Sequence, residues 1–480
     1  MSDVSLPQGW ERTWVDSPEA VTLIDREGVK LSAREVFALS NSRAATLQAS
    51  GVSTGQTVLM SCSPSIDLIL TYIALMRLGV TVLPANTGYT ERELEYIVED
   101  AKPIAAIVDV PASKQWLTKH GVEFVLAPSL DLPQAPIRLV SEPDPNSPAF
   151  IAYTSGTTGA PKGAVLSHAN LLAGSQGLLQ AWQWSSDDVL VMALPLFHMH
   201  GLGICLNTSL LSGGTTVALD AFSVDGVFDA INEFAATMFS GVPTMYSRIA
   251  ASDRVTELAS LRLAMSGSAP LPISVWNRIA KRSGVHILER YGMTETVVLT
   301  SNPVDGVRKA GTVGQPIPGV ELRLGEGDAV EVRGANVFSG YLDRPHATEA
   351  AFTADGWFRT GDVGSIDDDG YLSLVGRTSE LIISGGFNVY PRELEDVLRE
   401  HPLVIDIAVV GTPDEEWGEI VTGYVVLDES ASAYSSWRDT LMAHASERLA
   451  PFKIPRVWHR LPELPRNAMG KVVRSELTPP

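Results

Sequence analysis

YTSGTTGAPKG, residues 153–163, is the stretch on which the reading of this chain turns. An apolar run, 149–152, leads into it, and a helical pattern follows from Ser167. Hydroxyls at Thr154, Ser155, Thr157 and Thr158 alternate with Gly156 and Gly159, and Lys162 adds one mobile positive charge. A loop with many donors and little bulk, entered from a strand and left toward a helix, suits a polyphosphate. It is not a Walker A loop: Ala and Pro separate Lys162 from Gly159, and no Ser or Thr follows the lysine. The alternative reading is an exposed polar turn.

On both sides of this loop, short apolar runs alternate with helical spacing. Residues 58–61, 80–83 and 105–110 read as strands, and 66–77 as a helix between the first two. The pattern resumes at 189–193, 216–219, 237–241 and 262–266. Strand, helix and strand at this spacing predict βαβ units and a sheet covered on both faces, hence an α/β fold. From 311 to 376 the texture changes to Gly- and Asp-rich alternating runs (VELRL, AVEVRG, GYLSLVGR), the signature of hairpins. After Arg377 it changes again. PRELEDVLRE (391–400) opens a helix with Pro and early acids, strands follow at 405–410 and 420–427, and a helix at 437–449. The expected domains are 1–376 and 377–480, the second a small α+β domain.

The chain has 480 residues, 45% hydrophobic and 19% charged, ample for a buried core. With 36 Lys and Arg against 56 Asp and Glu, the net charge is −20. Nucleic acid and anionic membranes are therefore poor partners, because both need cationic surface. Two cysteines, Cys62 and Cys205, rule out a disulfide framework and a cysteine-based zinc site. The opening MSDVSLPQGW lacks a basic start and an apolar run. The expectation is a soluble cytoplasmic protein without stable membrane association.

Four further motifs carry chemistry. ERYGMTET (289–296) offers Tyr291 for stacking on a base, Thr294 as a phosphate-binding hydroxyl and Glu295 as a hard oxygen ligand for Mg²⁺. WFRTGDV (357–363) places Asp362 where it could accept two ribose hydroxyls, GRTSELIISGGFNV spans 376–389, and NAMGK spans 467–471.

These five motifs, in this order and spacing, resemble the adenylate-forming superfamily of acyl-CoA synthetases, adenylation domains and firefly-type luciferases. The resemblance covers nearly the whole chain. It implies a large N-terminal domain of two α/β subdomains plus a β-barrel, with a small mobile C-terminal domain. It also implies ATP, Mg²⁺ and coenzyme A as cosubstrates, with a monomer or weak dimer expected. By position, residues 154–162 look like the phosphate loop. Ser266, Gly267 and Ser268 with Tyr291 and Gly292 look like the adenine pocket, although the family more often has Gly-Gly-Ala at 266–268. Thr294 is implied at the α-phosphate, Glu295 at Mg²⁺, and Asp362 and Arg377 at the ribose. Lys471 matches the catalytic lysine of adenylation, and Gly385, Gly386 and Phe387 resemble the loop lining the pantetheine tunnel. The resemblance implies that the small domain rotates between the two steps about Ser379, where the family usually has Asp or Lys.

For the acid, Arg290 is the informative residue. An apolar acid wants no buried cation beside it, whereas a second carboxylate would suit a guanidinium. ERYGMTET is similar to the malonyl-CoA synthetase branch, as are PLFHMHG (195–201), GVPTMY (241–246) and NTGYT (86–90). The acyl pocket is expected to include Arg290, His198, Ser266 and Met293, with His200 beside them. The alternative for Arg290 is an internal salt bridge to Glu289 or Glu295. Rival functions stay open: a short- or medium-chain monocarboxylate or aryl-acid CoA ligase, a free-standing enzyme that loads a carrier protein, or a degenerate nucleotide-binding protein.

Overall fold

The computed structural model describes residues 4–130, 142–154, 161–414, 416–428, 436–467 and 470–477, with the side chains of residues 111 and 112 set aside. Ser155, Gly156, Thr157, Thr158 and Gly159 lie outside the described residues.

Two compact units divide the chain. The first comprises Met1–Leu271, Val275–Leu322 and Val332–Phe358; the second comprises Pro272–Ser274, Arg323–Glu331 and Arg359–Pro480. The architecture is α/β with a large N-terminal and a small C-terminal domain.

Within the first unit, one seven-stranded sheet is built on a parallel set. Thr57–Ser61 lies between Thr81–Pro84 and Ala105–Val108, and Phe124–Leu126 extends one side. These strands are nearly all apolar, as expected where both faces are covered. Helix Ile66–Arg77 buries ten of its twelve residues, so it is a core helix rather than an amphipathic one. Ser65 starts it by accepting from the Leu68 amide at 3.1 Å. On the other side, Pro148–Thr154 runs beside Thr81–Pro84 and then turns back antiparallel as Lys162–Ser167, with Thr154 opposite Lys162. Ser167 caps helix His168–Ala181 in a reciprocal box with Asn170. Strand Lys162–Ser167, rather than a loop, thus leads directly into the helix.

The nine-stranded sheet carries the second parallel set. Its central order is Leu288–Tyr291, Leu263–Ser266, Met238–Gly241, Val189–Met192 and Thr215–Ala218, all parallel. Phe228, Phe239, Tyr246 and Ile249 fill the core on one face. In open parallel sheets, ligands bind beyond the carboxyl ends of the strands. Here those ends are Gly241, Ser266 and Tyr291.

The expected β-rich stretch forms a four-stranded sheet in the order Val320–Leu324, Ala329–Gly334, Phe358–Ile366 and Leu372–Arg377. One helix, Pro345–Ala351, interrupts it, which a reading by hairpin signals passes over. In the second unit, Val404–Asp414 and Gly418–Leu427 form a long hairpin, extended by Ile382–Ser384, Phe387–Val389 and Val457–Arg460. Helices Pro391–Arg399 and Trp437–Ser446 contribute Leu394, Leu398, Leu441 and Ala445 to the core under that hairpin. Cys62 and Cys205 are buried thiols. Among the described residues, no helix is long and apolar enough to cross a membrane.

Candidate active site

Three adjacent parallel strands end in register, with Gly241 opposite Ser266 and Ser266 opposite Glu289. Their last residues converge on one buried cluster. His200 bridges two hydroxyls, its Nε2 2.8 Å from Ser240 Oγ and its Nδ1 3.0 Å from Ser268 Oγ. Ser268 sits at φ +73°, a left-handed turn that aims its hydroxyl back at the imidazole. Burial, and then the charge of Arg290, hold the His200 pKa well below its usual value, so this imidazole is neutral.

Arg290 is 4% exposed. Its Nε and Nη2 find no hydrogen-bond partner, and it forms no ion pair among the described residues. The internal salt bridge is therefore not made. Glu289 neighbours it in sequence, but adjacent residues of a strand point to opposite faces. Glu289 instead accepts the Leu271 amide at 2.5 Å. Burial pulls the Arg290 guanidinium down to about 10, so it stays a cation at neutral pH. Nearby, burial pushes the Cys205 thiol up to about 11. Ser266 Oγ is buried and likewise without a partner. An unpaired guanidinium and an unpaired hydroxyl together can receive a carboxylate.

Tyr291 is 8% exposed, and Gly292 passes so close to the next turn that a Cβ would lie 2.3 Å from the Val297 carbonyl oxygen. The Met293 amide is held by Thr296 Oγ1 at 3.2 Å, and Thr294 is half-buried beside it. Glu295 is 4% exposed, and the Tyr341 hydroxyl donates to its Oε1 at 3.1 Å. A single buried carboxylate with phosphate oxygens is a donor set that suits Mg²⁺, which keeps few protein ligands. His198 is half-buried against Phe197 and lies near His200.

The hairpin is tied down at both stems. On one side, the Tyr153 hydroxyl donates to Asp100 Oδ2 at 2.7 Å, and Arg344 pairs with the same carboxylate at 2.6 Å. On the other, the Tyr96 hydroxyl donates to the Pro161 carbonyl at 2.8 Å. Thr154 Oγ1 donates to the Lys162 carbonyl at 3.4 Å, and the Lys162 ammonium stands 5.5 Å over the Tyr341 ring. Asp100, Tyr96 and Tyr341 escaped the sequence reading because no local motif marks them; only the fold brings them to the hairpin.

In the second unit, Asp362 and Arg377 face each other across paired strands, joined by an ion pair at 3.0 Å. Ser379 lies in a single tight turn, Thr378–Glu380, just after that strand. Gly385 and Gly386 form a turn at φ +58° and +83°. A Cβ on Gly385 would strike the Trp417 ring at 2.5 Å. Phe387 is 51% exposed and stacked on Phe452 at 4.5 Å between ring centroids, while Arg456 lies 3.7 Å over Trp417. Trp417 thus packs against the glycine turn, with Arg456 over its ring and Phe452 against Phe387, although nothing in their local sequence marks them. Lys471 is exposed on a separate turn closed by Asn467, which accepts its amide at 3.0 Å.

Comparison with known proteins shows the family. The model described as AMP-binding enzyme matches residues 10–342, and that of the AMP-binding enzyme C-terminal domain matches 393–471. A malonate–CoA ligase of Arabidopsis thaliana is 34% identical over 474 residues, 88% of this chain and 78% of that protein. A 2-succinylbenzoate–CoA ligase of Bacillus pumilus is 35% identical over 480 residues, 96% of this chain and 95% of that protein. Among solved structures, ATP-bound MatB from Rhodopseudomonas palustris aligns with a TM-score of 0.92 at 36% identity, covering 98% of each chain.

Proposed function

The chain belongs to the AMP-binding enzyme family and is an AMP-forming acyl-CoA ligase, and from that premise we propose that its acid is malonate or methylmalonate. The observation that carries this reading is the buried Arg290 guanidinium, whose Nε and Nη2 lack a partner. Leaving that cation unmatched costs several kcal/mol, and a distal carboxylate matches it with two parallel hydrogen bonds. Ser266 supplies a further donor, and His200, held neutral, adds no second charge. His198 and Met293 complete the proposed wall. A 2-succinylbenzoate would also bring a second carboxylate, so pocket length, rather than charge, separates it from malonate.

The proposed reaction runs in two steps. A carboxylate oxygen attacks the α-phosphorus of ATP in line, the O–P bond forms as the bridging P–O bond breaks, and pyrophosphate leaves. Residues 154–162 cradle the phosphates, with Lys162 as their cation. Ser266, Gly267, Ser268, Tyr291 and Gly292 hold the adenine, and Asp362 and Arg377 the ribose. Thr294 donates to the α-phosphate, and Glu295 would hold Mg²⁺. Bound there, the metal would supply charge neutralisation for the phosphate oxygens. Lys471 meets the charge that builds on the reacting phosphoryl group. In the second step a thiol loses its proton and attacks the acyl carbon, and the acyl–O bond breaks to release AMP. Gly385, Gly386 and Phe387, backed by Trp417 and Phe452, are the proposed path for the pantetheine arm. Residues 377–480 thus act as the lid that serves both steps, with Ser379 as its hinge.

The test is a pyrophosphate-release assay with malonate, methylmalonate, 2-succinylbenzoate, butyrate and benzoate, with and without CoA, on wild type and Arg290→Leu. The wild type is expected to prefer malonate or methylmalonate, and the variant to lose that preference by ~10³- to 10⁴-fold, as when a buried polar group is left unmatched. Malonate turnover unchanged in the variant, or a wild type that strongly prefers butyrate, overturns the reading. Thioester formed on a carrier protein but not on CoA would reassign the acceptor alone.

A further inference from the structure

Two charged groups from two separate motifs meet on one phenol. The Lys162 ammonium stands over the face of the Tyr341 ring, and the Tyr341 hydroxyl donates to Glu295 Oε1. Lys162 makes no ion pair among the described residues. The tyrosine is held on all sides. Gly340–Tyr341 pairs antiparallel with the exit arm of the phosphate hairpin, placing Tyr341 opposite Ala164. Its amide donates to Thr348 Oγ1 at 2.9 Å, and Phe338 packs edge-on against its ring at 4.8 Å. The Phe338 amide in turn donates to the Glu295 carbonyl at 2.8 Å. One short segment, 338–341, therefore fixes both the backbone and the carboxylate of Glu295 while it braces the strand that starts at Lys162.

Lys162 and Glu295 each contact Tyr341, and opposite charges that share one neighbour attract. Paired directly, each would satisfy the other, and a ligand would have to break that pair before using either. The phenol offers a weaker partner to each: a π face to the cation and a donor hydroxyl to the carboxylate. We propose that Tyr341 is a positioning residue that keeps Lys162 and Glu295 apart and aimed, so that the ammonium stays available to nucleotide phosphates and the carboxylate to Mg²⁺. This rests on the roles proposed above for those two residues, and the test separates the two claims.

The experiment is equilibrium binding of ATP, without acid or CoA, over a Mg²⁺ titration and in EDTA, on the full chain. Wild type, Tyr341→Phe, Tyr341→Leu and Glu295→Gln are compared, with thermal midpoints measured alongside. Tyr341→Phe keeps the ring and loses the hydroxyl. It is expected to raise the Mg²⁺ concentration for half-maximal tightening about five- to tenfold, with ATP affinity in EDTA unchanged within about twofold. Tyr341→Leu loses both partners and is expected to weaken ATP in EDTA about two- to fivefold as well. A Tyr341→Phe protein with wild-type Mg²⁺ dependence overturns the proposal. So does one in which both affinities and the thermal midpoint fall together, the mark of a merely structural role. If Glu295→Gln leaves the Mg²⁺ dependence unchanged, the metal role of Glu295 fails first, and the Tyr341 proposal falls with it.

Discussion

Arg290 fills the space that any side chain on Gly267 would need: a Cβ there would lie 2.5 Å from both Cζ and Nε of the guanidinium. The glycine at the end of one strand is thus what lets the arginine of the next lie flat against the backbone. Gly267→Ala is expected to displace the guanidinium and raise KM for malonate about ten- to a hundredfold, in line with the usual cost of overpacking a core. The alanine keeps the amide and carbonyl at 267, so KM for ATP should stay within about threefold. Steady-state pyrophosphate release decides it, and an unchanged KM for malonate would show that the guanidinium has room elsewhere.

Lys471 presents one ammonium from an exposed turn fixed by Asn467. Lys471→Ala is expected to slow acyl-adenylate formation about 10²- to 10³-fold, the usual loss when one transition-state donor is removed. Conversion of a supplied acyl-adenylate to the thioester should stay close to wild type. Parallel rates on the two half-reactions check this. Equal losses in both would remove the lysine from its assigned step.

Ser379 sits in a one-turn link directly after the strand that carries Arg377. Proline fixes φ near −65° and removes the amide hydrogen, so Ser379→Pro restricts any swing at this link. Pyrophosphate release in a single turnover should survive, while CoA thioester formation should fall by at least about tenfold. A variant that makes thioester at the normal rate would place the hinge elsewhere.

His168 begins the helix that follows strand Lys162–Ser167, fully buried, with neither ring nitrogen hydrogen-bonded. Burial pushes its pKa down to about 4 from 6.5. Between those values the unfolded chain takes up the proton and the native one does not. Stability therefore falls as the pH drops through this window, by up to about 1.4 kcal/mol per pH unit. His200, neutral for the same reason, acts in the same direction. His168→Leu should narrow the difference in thermal midpoint between pH 7 and pH 5. An identical difference in wild type and variant would assign the acid loss to other groups.

Much of the frame was legible because it is written locally. The helix read at 66–77 is helix Ile66–Arg77, since twelve residues of helical spacing follow a serine able to cap them. The strands at 57–61, 105–108 and 189–192 appear within a residue or two of their expected ends, because short apolar runs covered on both faces leave few other options. The helix inside the β-rich stretch, Pro345–Ala351, was missed: at seven residues it is too short to show a period.

The motifs and their order carried by themselves the resemblance to the adenylate-forming superfamily, since glycines, hydroxyls and charged side chains at set spacings are written one residue at a time. Only the tertiary structure decided whether Arg290 is spent on a neighbour. Glu289 is adjacent in sequence yet accepts from the Leu271 amide, and Glu295 accepts from a tyrosine 46 residues away. Strand pleating turns successive side chains to opposite faces, and partners so distant in sequence are chosen by the packing of the sheets, which no local pattern encodes.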